Sequence, residues 1–218
     1  MSTDDNAVMY MVVRKGHSYS LTQLLSDAAT AVCRVMNAYS RETMHNRQFA
    51  AWRADLYRKV ALRADLKALA ALVGFPSHAQ GAVTVFAPCR RSERPKALAK
   101  LQTYDAEVAD LASSPAADHE HAVRIVVNGD VPMSVGKMLA QVGHAAMLAF
   151  EKCLADDKRL RDSSPMKPWW VAGFPCVVTF ASGAEWEALA RKHPHAIVTD
   201  AGFTEVASGT QTCLAAIA

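Results

Sequence analysis

Two stretches in the second half of the chain place reactive side chains at spacings that a helix face or a strand end can gather. The first is Met133-Ser-Val-Gly-Lys-Met-Leu-Ala-Gln-Val-Gly-His-Ala-Ala. In a helix, Lys137, Gln141 and His144 fall at i, i+4 and i+7 and share one face. Gly136 sits in the first turn, where unpaired backbone N–H groups favour an anion, and Lys137 adds a full positive charge beside it. Gly143, a poor helix former, would admit a close neighbour. The second stretch is Asp200-Ala-Gly-Phe-Thr-Glu-Val-Ala-Ser-Gly-Thr-Gln-Thr. Its carboxylate stands at the end of an apolar run, with Thr204, Thr210 and Thr212 following. Turn chemistry accounts for the glycines. It does not account for a carboxylate crowded by threonine hydroxyls, a set able to orient and partly deprotonate a water. Singly, each residue also has an ordinary explanation, a solvated lysine or a packed histidine.

No other machinery competes. The chain has no GxSxG elbow, Walker loop, HExxH or GxGxxG pattern. His119/His121 and His193/His195 are short loop patterns without a cysteine or acidic partner at matching spacing, so no metal site is expected. The five cysteines are widely spaced and form no CxxC pair, which points to free thiols in a reducing cytoplasm. No apolar run approaches the 18 residues of a membrane span, and the acidic Met-Ser-Thr-Asp-Asp-Asn start is unlike a secretory leader.

These side chains need elements to hold them. Of the 218 residues, 51% are hydrophobic and 21% charged, enough for an ordinary core and too apolar for a disordered chain. Two strand-then-helix units stand out. Val8–Val13 reads as a strand, and Ser20 as the N-cap of a helix from Leu21 to about Asn37. Ala122–Val127 reads as a second strand, and Ser134 opens a helix running to about Leu154. Further on, strand Cys176–Ala181, helix Gly183–Lys192, strand Ala196–Thr199 and strand Thr212–Ile217 are expected. Arg41–Val73, rich in Arg, Ala and Leu and stopped by Gly74 and Pro76, predicts a long helical stretch. Ala112–Asp118 has linker composition, giving expected units at 1–114 and 119–218.

The two units also resemble each other. An offset of 114 aligns Val8–Met36 with Ala122–Phe150 without a gap, and Val12, Val13, Ser20, Leu25 and Ala31 are identical across it. Gly74-Phe75-Pro76 echoes Gly173-Phe174-Pro175, Val83–Ala87 echoes Val177–Ala181, and Ala97–Lys100 echoes Ala188–Arg191. Asp105 would then answer Asp200, and Ala109 would answer Thr204. Collinear order favours a tandem duplication with a worn first copy over two unrelated α/β units. At this offset Lys137, Gln141 and His144 correspond to Gln23, Asp27 and Thr30, so the first copy lacks the reactive set. Residues 1–119 carry 15 Lys and Arg against 11 Asp and Glu, whereas 120–218 carry 9 against 10. The basic excess of the first half suits a polyanion partner or merely a solvated face.

Together the two reactive stretches resemble the signatures of the type-2 (archaeal and eukaryotic-type) peptidyl-tRNA hydrolases. They stand here as Gly136-Lys137-Met-Leu-Ala140-Gln141-Val-Gly-His144-Ala145 and Asp200-Ala201-Gly202-Phe-Thr204 … Gly209-Thr210-Gln-Thr212. The resemblance covers about residues 121–218. It implies a small mixed sheet of about four strands with helices on both faces, and a commonly homodimeric protein. Applied to both halves, it gives an α/β chain of two three-layer units forming an intrachain pseudo-dimer, a monomer in solution. It implies Lys137, Asp200, Thr204 and Thr212 as catalytic residues, Gln141, His144, Gly136 and Thr210 as substrate-positioning ones, and no cofactor. The substrate implied is peptidyl-tRNA, cleaved at its ester by water. Two positions depart from the pattern. Val135 stands where many members have a second lysine, which removes one cation for tRNA phosphates, and Leu139 stands where alanine is usual. A non-catalytic tRNA- or ribosome-associated binding protein on the same fold is the alternative, and a hydrolase of other acyl esters is a third reading.

Overall fold

A computed structural model describes residues 5–16, 18–40, 43–104, 106, 119–155 and 164–217. Strand β1 (Ala7–Arg14) is apolar on both faces because both are covered. Met9, Met11 and Val13 enter the larger core, while Val8, Tyr10 and Val12 enter a smaller one. Helix α1 (Leu21–Tyr39) begins where expected, with the Ser20 hydroxyl accepting from the Gln23 N–H at 3.2 Å.

The long helix expected over Arg41–Val73 is not there. The chain forms α2 (Thr43–Ala54), strand β2 (Lys59–Ala64) and a short α3 (Leu66–Ala70). Leu56 and Tyr57 adopt positive φ angles of 59° and 55°, which turn the chain out of α2. Lys-Val-Ala-Leu-Arg-Ala has good helix formers, but it pairs in parallel with β1, from Met9 opposite Lys59 to Arg14 opposite Ala64. Ladder and burial on both faces override propensity here. Hairpin β3 (Ser77–Gln80) and β4 (Val83–Phe86), β5 (Cys89–Arg90), short helix α4 (Lys96–Ala99) and β6 (Gln102–Thr103) complete a mixed sheet of order β3-β4-β1-β2-β6, with β5 against β1.

The second half matches its expected elements to within a residue or two. It comprises β7 (Val123–Asn128), α5 (Val135–Ala155), α6 (Lys167–Val171), β8 (Cys176–Ala181), α7 (Gly183–Lys192), β9 (Ile197–Thr199) and β10 (Gln211–Ala216). The sheet runs β8-β7-β10-β9, with β7 and β8 parallel and β10 antiparallel to both neighbours. Both sheets are mixed and carry helices on both sides.

In strand order and direction β2-β1-β4-β3 repeats β8-β7-β10-β9. In this order β2 stands where β8 does and β4 where β10 does, so Val83–Ala87 and Val177–Ala181, which echo each other in sequence, do not occupy equivalent strands. The loop that carries Asp200 corresponds to a two-residue turn, Gly81–Ala82, which needs the φ of +52° that Gly81 supplies. Asp105, Ala109 and the linker Ala112–Asp118 lie outside the described residues.

The two halves share one core. Helices α1 and α5 pack together within it, and Cys33 Sγ lies 3.5 Å from the Ala146 carbonyl oxygen. Strand β8 is an edge strand, yet two of its outer N–H groups are satisfied from the other half. Cys176 donates to Thr30 Oγ1 at 3.0 Å and Val178 to Ser26 Oγ at 2.9 Å. Helix α5 in turn lies against β2, and that contact places part of the first half beside the reactive residues.

Candidate active site

Three segments of the second half meet at the start of α5. Ser134 caps that helix, its hydroxyl accepting from the Lys137 N–H at 3.2 Å. Ser134 also donates from its N–H and its hydroxyl to the two carboxylate oxygens of Glu205, at 2.8 and 2.6 Å. The anion expected at this helix start is therefore the chain's own Glu205, which pins the 200–210 loop to α5.

One turn into α5, Lys137 Nζ donates to Asp200 Oδ2 at 2.5 Å and to Thr204 Oγ1 at 2.8 Å. Another turn on, buried Gln141 donates from Nε2 to the same Asp200 oxygen at 2.6 Å. Thr212, fully buried on β10, donates to Gln141 Oε1 at 2.8 Å. Because a carboxylate only accepts, Asp200 fixes which end of the amide faces it, and Thr212 holds the other end. The second carboxylate oxygen, Oδ1, accepts from the Gly202 N–H at 2.8 Å. Asp200 is held at its backbone too, where its N–H donates to the Thr210 carbonyl and its carbonyl accepts from the Gly209 N–H.

The threonines thus differ from one another. Thr204 touches Lys137 rather than Asp200, Thr212 reaches Asp200 only through Gln141, and Thr210 contributes its carbonyl. His144 touches none of these groups. Its Nδ1 lies 3.0 Å from Nζ of Lys59, at the head of β2. The Lys59 ammonium also donates to the Tyr57 carbonyl and lies 4.7 Å over the Trp52 ring. Burial above all, then the ammonium charges of Lys59 and Lys137, holds the His144 imidazole well below its usual 6.5. Burial likewise holds Lys59 well below the ordinary lysine value, partly offset by the charge of Glu151. With Lys59 Nζ as the donor, a neutral His144 accepts at Nδ1 and carries its own hydrogen on Nε2. The neighbour that Gly143 admits is this lysine stem, since a Cβ there would meet Lys59 Cδ at 3.0 Å.

A cleft of about 390 Å³ opens over this network. Lys137, Gln141, His144, Asp200, Thr204 and Glu205 line it from the second half, and Arg58, Lys59, Arg91, Thr103 and Tyr104 from the first. Sequence reasoning missed every one of the first-half residues and Glu205. Gly136 lies close under Tyr104, whose carbonyl oxygen a Cβ at that position would meet at 2.9 Å. Val135, where the family pattern often has a second lysine, is fully buried in the shared core.

Counting donors and lone pairs shows what the site can do. A carboxylate offers about four acceptor positions, and Lys137, Gln141 and Gly202 occupy three. One remains for a water. An ammonium has three hydrogens, of which Asp200 and Thr204 take two. The third can reach an oxygen bound in the cleft. A fixed acceptor for a water beside a cationic donor suits hydrolysis of an acyl ester.

The family model described as "Peptidyl-tRNA hydrolase PTH2" matches residues 122–217, the span that holds all of these second-half residues. A peptidyl-tRNA hydrolase of Methanopyrus kandleri is 38% identical over 97 residues, an alignment covering 41% of this chain and 78% of that protein. The chain belongs to this peptidyl-tRNA hydrolase family. A peptidyl-tRNA hydrolase of Saccharolobus islandicus is 35% identical over 97 residues, covering 41% of this chain and 79% of the relative. The human relative "Peptidyl-tRNA hydrolase 2, mitochondrial" is 32% identical over 101 residues, covering 44% of this chain and 54% of its own length. Every site residue singled out in the sequence falls inside the family match.

Proposed function

We propose that this chain is a peptidyl-tRNA hydrolase, cleaving the ester that joins a peptide or N-acylated amino acid to the 3′ ribose of tRNA. The observation that carries the proposal is the Lys137–Asp200–Gln141 network at the floor of the cleft, in a chain of this family. Asp200 accepts a proton from a water at its open lone-pair position, and the water oxygen attacks the ester carbonyl carbon. The free N–H of Lys137 stabilises the developing oxyanion. When the tetrahedral species collapses, the carbon–ribose oxygen bond breaks and the proton passes to the ribose oxygen. The products are a free carboxylic acid and tRNA with an intact 3′ hydroxyl. Thr204 holds Lys137, Thr212 holds Gln141, and Gly202 and Thr210 hold Asp200. Gly136 and His144 shape the cleft wall.

The proposal extends to the whole chain. Residues 119–218 are the catalytic unit and 1–114 a degenerate copy, the pair forming an intrachain pseudo-dimer that is a monomer in solution. The common strand order of the two sheets and the 114-residue offset support this. In the first unit Gln23 and Asp27 take the places of Lys137 and Gln141, and a two-residue turn replaces the Asp200 loop. The carboxylate of Asp27 lies against Gly81, where a Cβ would sit 1.9 Å from its Oδ2, so no second site opens there. No helix of the described residues is long and apolar enough to cross a membrane, and the five cysteines are free thiols. Those thiols favour the cytoplasm as the working compartment.

The test is release of labelled N-acyl-amino acid from acylated tRNA by the purified protein. Release by the wild type, lost in the Asp200→Ala, Lys137→Ala double variant, is the expected result. Absence of release by the wild type, or unchanged release by that variant, overturns the reading.

A further inference from the structure

We propose that the first half of the chain supplies the phosphate-binding wall of the cleft, through Arg58 and Arg91, and that its ligand is the phosphodiester backbone of the single-stranded RNA end bearing the ester. This inference rests on the proposed hydrolase activity and names how the same cleft holds its substrate.

Charge within the cleft leads to these two residues. The carboxylates that line it are already used, Asp200 by Lys137 and Glu205 by Ser134. Lys137 is correspondingly neutralised, and the Lys59 ammonium is drawn back onto His144 and the Trp52 ring. Arg58 and Arg91 remain, and neither guanidinium has a carboxylate partner among the described residues. Arg58 Nε is buried, so a ligand in the cleft would meet the terminal nitrogens of this guanidinium.

Arg58 is also held in place. Its carbonyl oxygen accepts from Trp52 Nε1 at 2.7 Å and from the Met9 N–H at 3.0 Å, which fixes the backbone at the head of β2. Its guanidinium lies over the ring of Phe203, 4.9 Å from the centroid. A cation–π contact of this kind uses none of the N–H donors, so the terminal nitrogens remain for contact with a phosphate. Phe203 is 60% exposed, so the same ring offers further surface on which an unpaired base can stack. Phe203 follows Asp200 by three residues, which places cation, aromatic surface and reacting centre in one cleft. The ester of an acylated RNA is attached within one nucleotide of a phosphodiester, so a phosphate contact belongs in this cleft and not on a distant face. Val135 is buried and brings no cation to the cleft, whereas the first half brings two guanidinium groups to it.

The test uses the full chain with Arg58→Ala, Arg91→Ala and the double variant, alongside Arg58→Lys, each checked for native melting. Binding of uncharged tRNA is followed by fluorescence anisotropy across a salt series. Hydrolysis is compared between an N-acetyl-aminoacyl-tRNA and the matching N-acetyl-aminoacyl-adenosine, which has no phosphate. In the double variant the slope of log K against log salt falls by about 0.7 for each phosphate that is no longer neutralised. Its kcat/KM on the tRNA ester drops at least about tenfold more than on the adenosine ester, and Arg58→Lys regains part of that activity. An unchanged salt slope, or equal drops on the two esters, overturns the proposal. A wild type that cleaves neither ester refutes the hydrolase reading, while the salt slope still decides whether the arginines bind phosphate.

Discussion

Removing Asp200 and Lys137 singly and together separates their effect on stability from their effect on turnover. Their side chains are 6% and 10% exposed and lie 2.5 Å apart. In Asp200→Ala the Lys137 ammonium keeps only Thr204 Oγ1 as an acceptor, and Gln141 Nε2 loses the carboxylate it donated to. A nearly buried charge left this way costs about 3–5 kcal/mol. Lys137→Met is milder, because Asp200 retains Gln141 Nε2 and the Gly202 N–H, and should cost about 1–3 kcal/mol. The double variant, Asp200→Ala with Lys137→Met, buries no unpaired charge. It should lie within about 2 kcal/mol of the wild type, well short of the sum of the single losses. Activity behaves differently. All three variants should lose about 10²–10⁴-fold in kcat/KM on an acylated tRNA, because each lacks part of one constellation. Urea denaturation and ester-cleavage assays on the four proteins give both quantities. Additive stability losses, or a double variant that recovers turnover along with stability, would refute this account of the pair.

Thr212→Val removes the donor that anchors the Gln141 amide and leaves Oε1 unpaired in the core, so stability should fall by about 1–3 kcal/mol and kcat by roughly tenfold. Steady-state kinetics with a wild-type kcat would count against this anchoring role. The His144 imidazole is held below its usual 6.5, so between that value and its folded one the unfolded chain binds a proton that the folded chain does not. Stability should therefore decline as pH falls below about 6.5, by up to about 1.4 kcal/mol per pH unit from this residue. Denaturation between pH 5 and 7.5 should show a shallower decline in His144→Gln, and identical slopes would rule the explanation out. Gly202 and Gly209 both have positive φ, but only Gly202 lacks room, a Cβ there meeting Ser208 at 2.8 Å. Gly202→Ala should thus depress kcat/KM far more than Gly209→Ala, although both carry backbone strain of about 1–2 kcal/mol. Equal losses would show that strain alone matters.

The strands and helices of the second half were legible because period and caps agree there. Ser134 precedes an unbroken apolar pattern, and β7, β8 and β10 are β-branched or apolar runs bounded by turns. Strand β2 was not legible, since Lys-Val-Ala-Leu-Arg-Ala is written in helix formers and becomes a strand only because β1 offers it a ladder. At the site, the pairing of the Lys137 helix face with the Asp200 loop could be anticipated from types and spacing. The route from Thr212 through Gln141 could not, because no pattern specifies which hydroxyl meets which end of an amide. Glu205 and Lys59 reach their partners across 71 and 85 residues, and a charged residue in a loop or at a strand start carries no mark of so distant a contact.

The two hydroxyls that α1 lends to β8 bear on how such a chain behaves among its own copies. An open sheet border recruits further strands, and proteins usually blunt it with charge, proline or a bulge. Here Ser26 and Thr30 occupy the outward N–H groups of Val178 and Cys176 from within the same molecule. A fragment trimmed to residues 119–218 would present those groups bare, beside the apolar surface that α1 now covers. Its self-association or precipitation at concentrations where the full chain stays dispersed would follow from that exposure alone. On this expectation the first half keeps the second dispersed as well as lining its cleft.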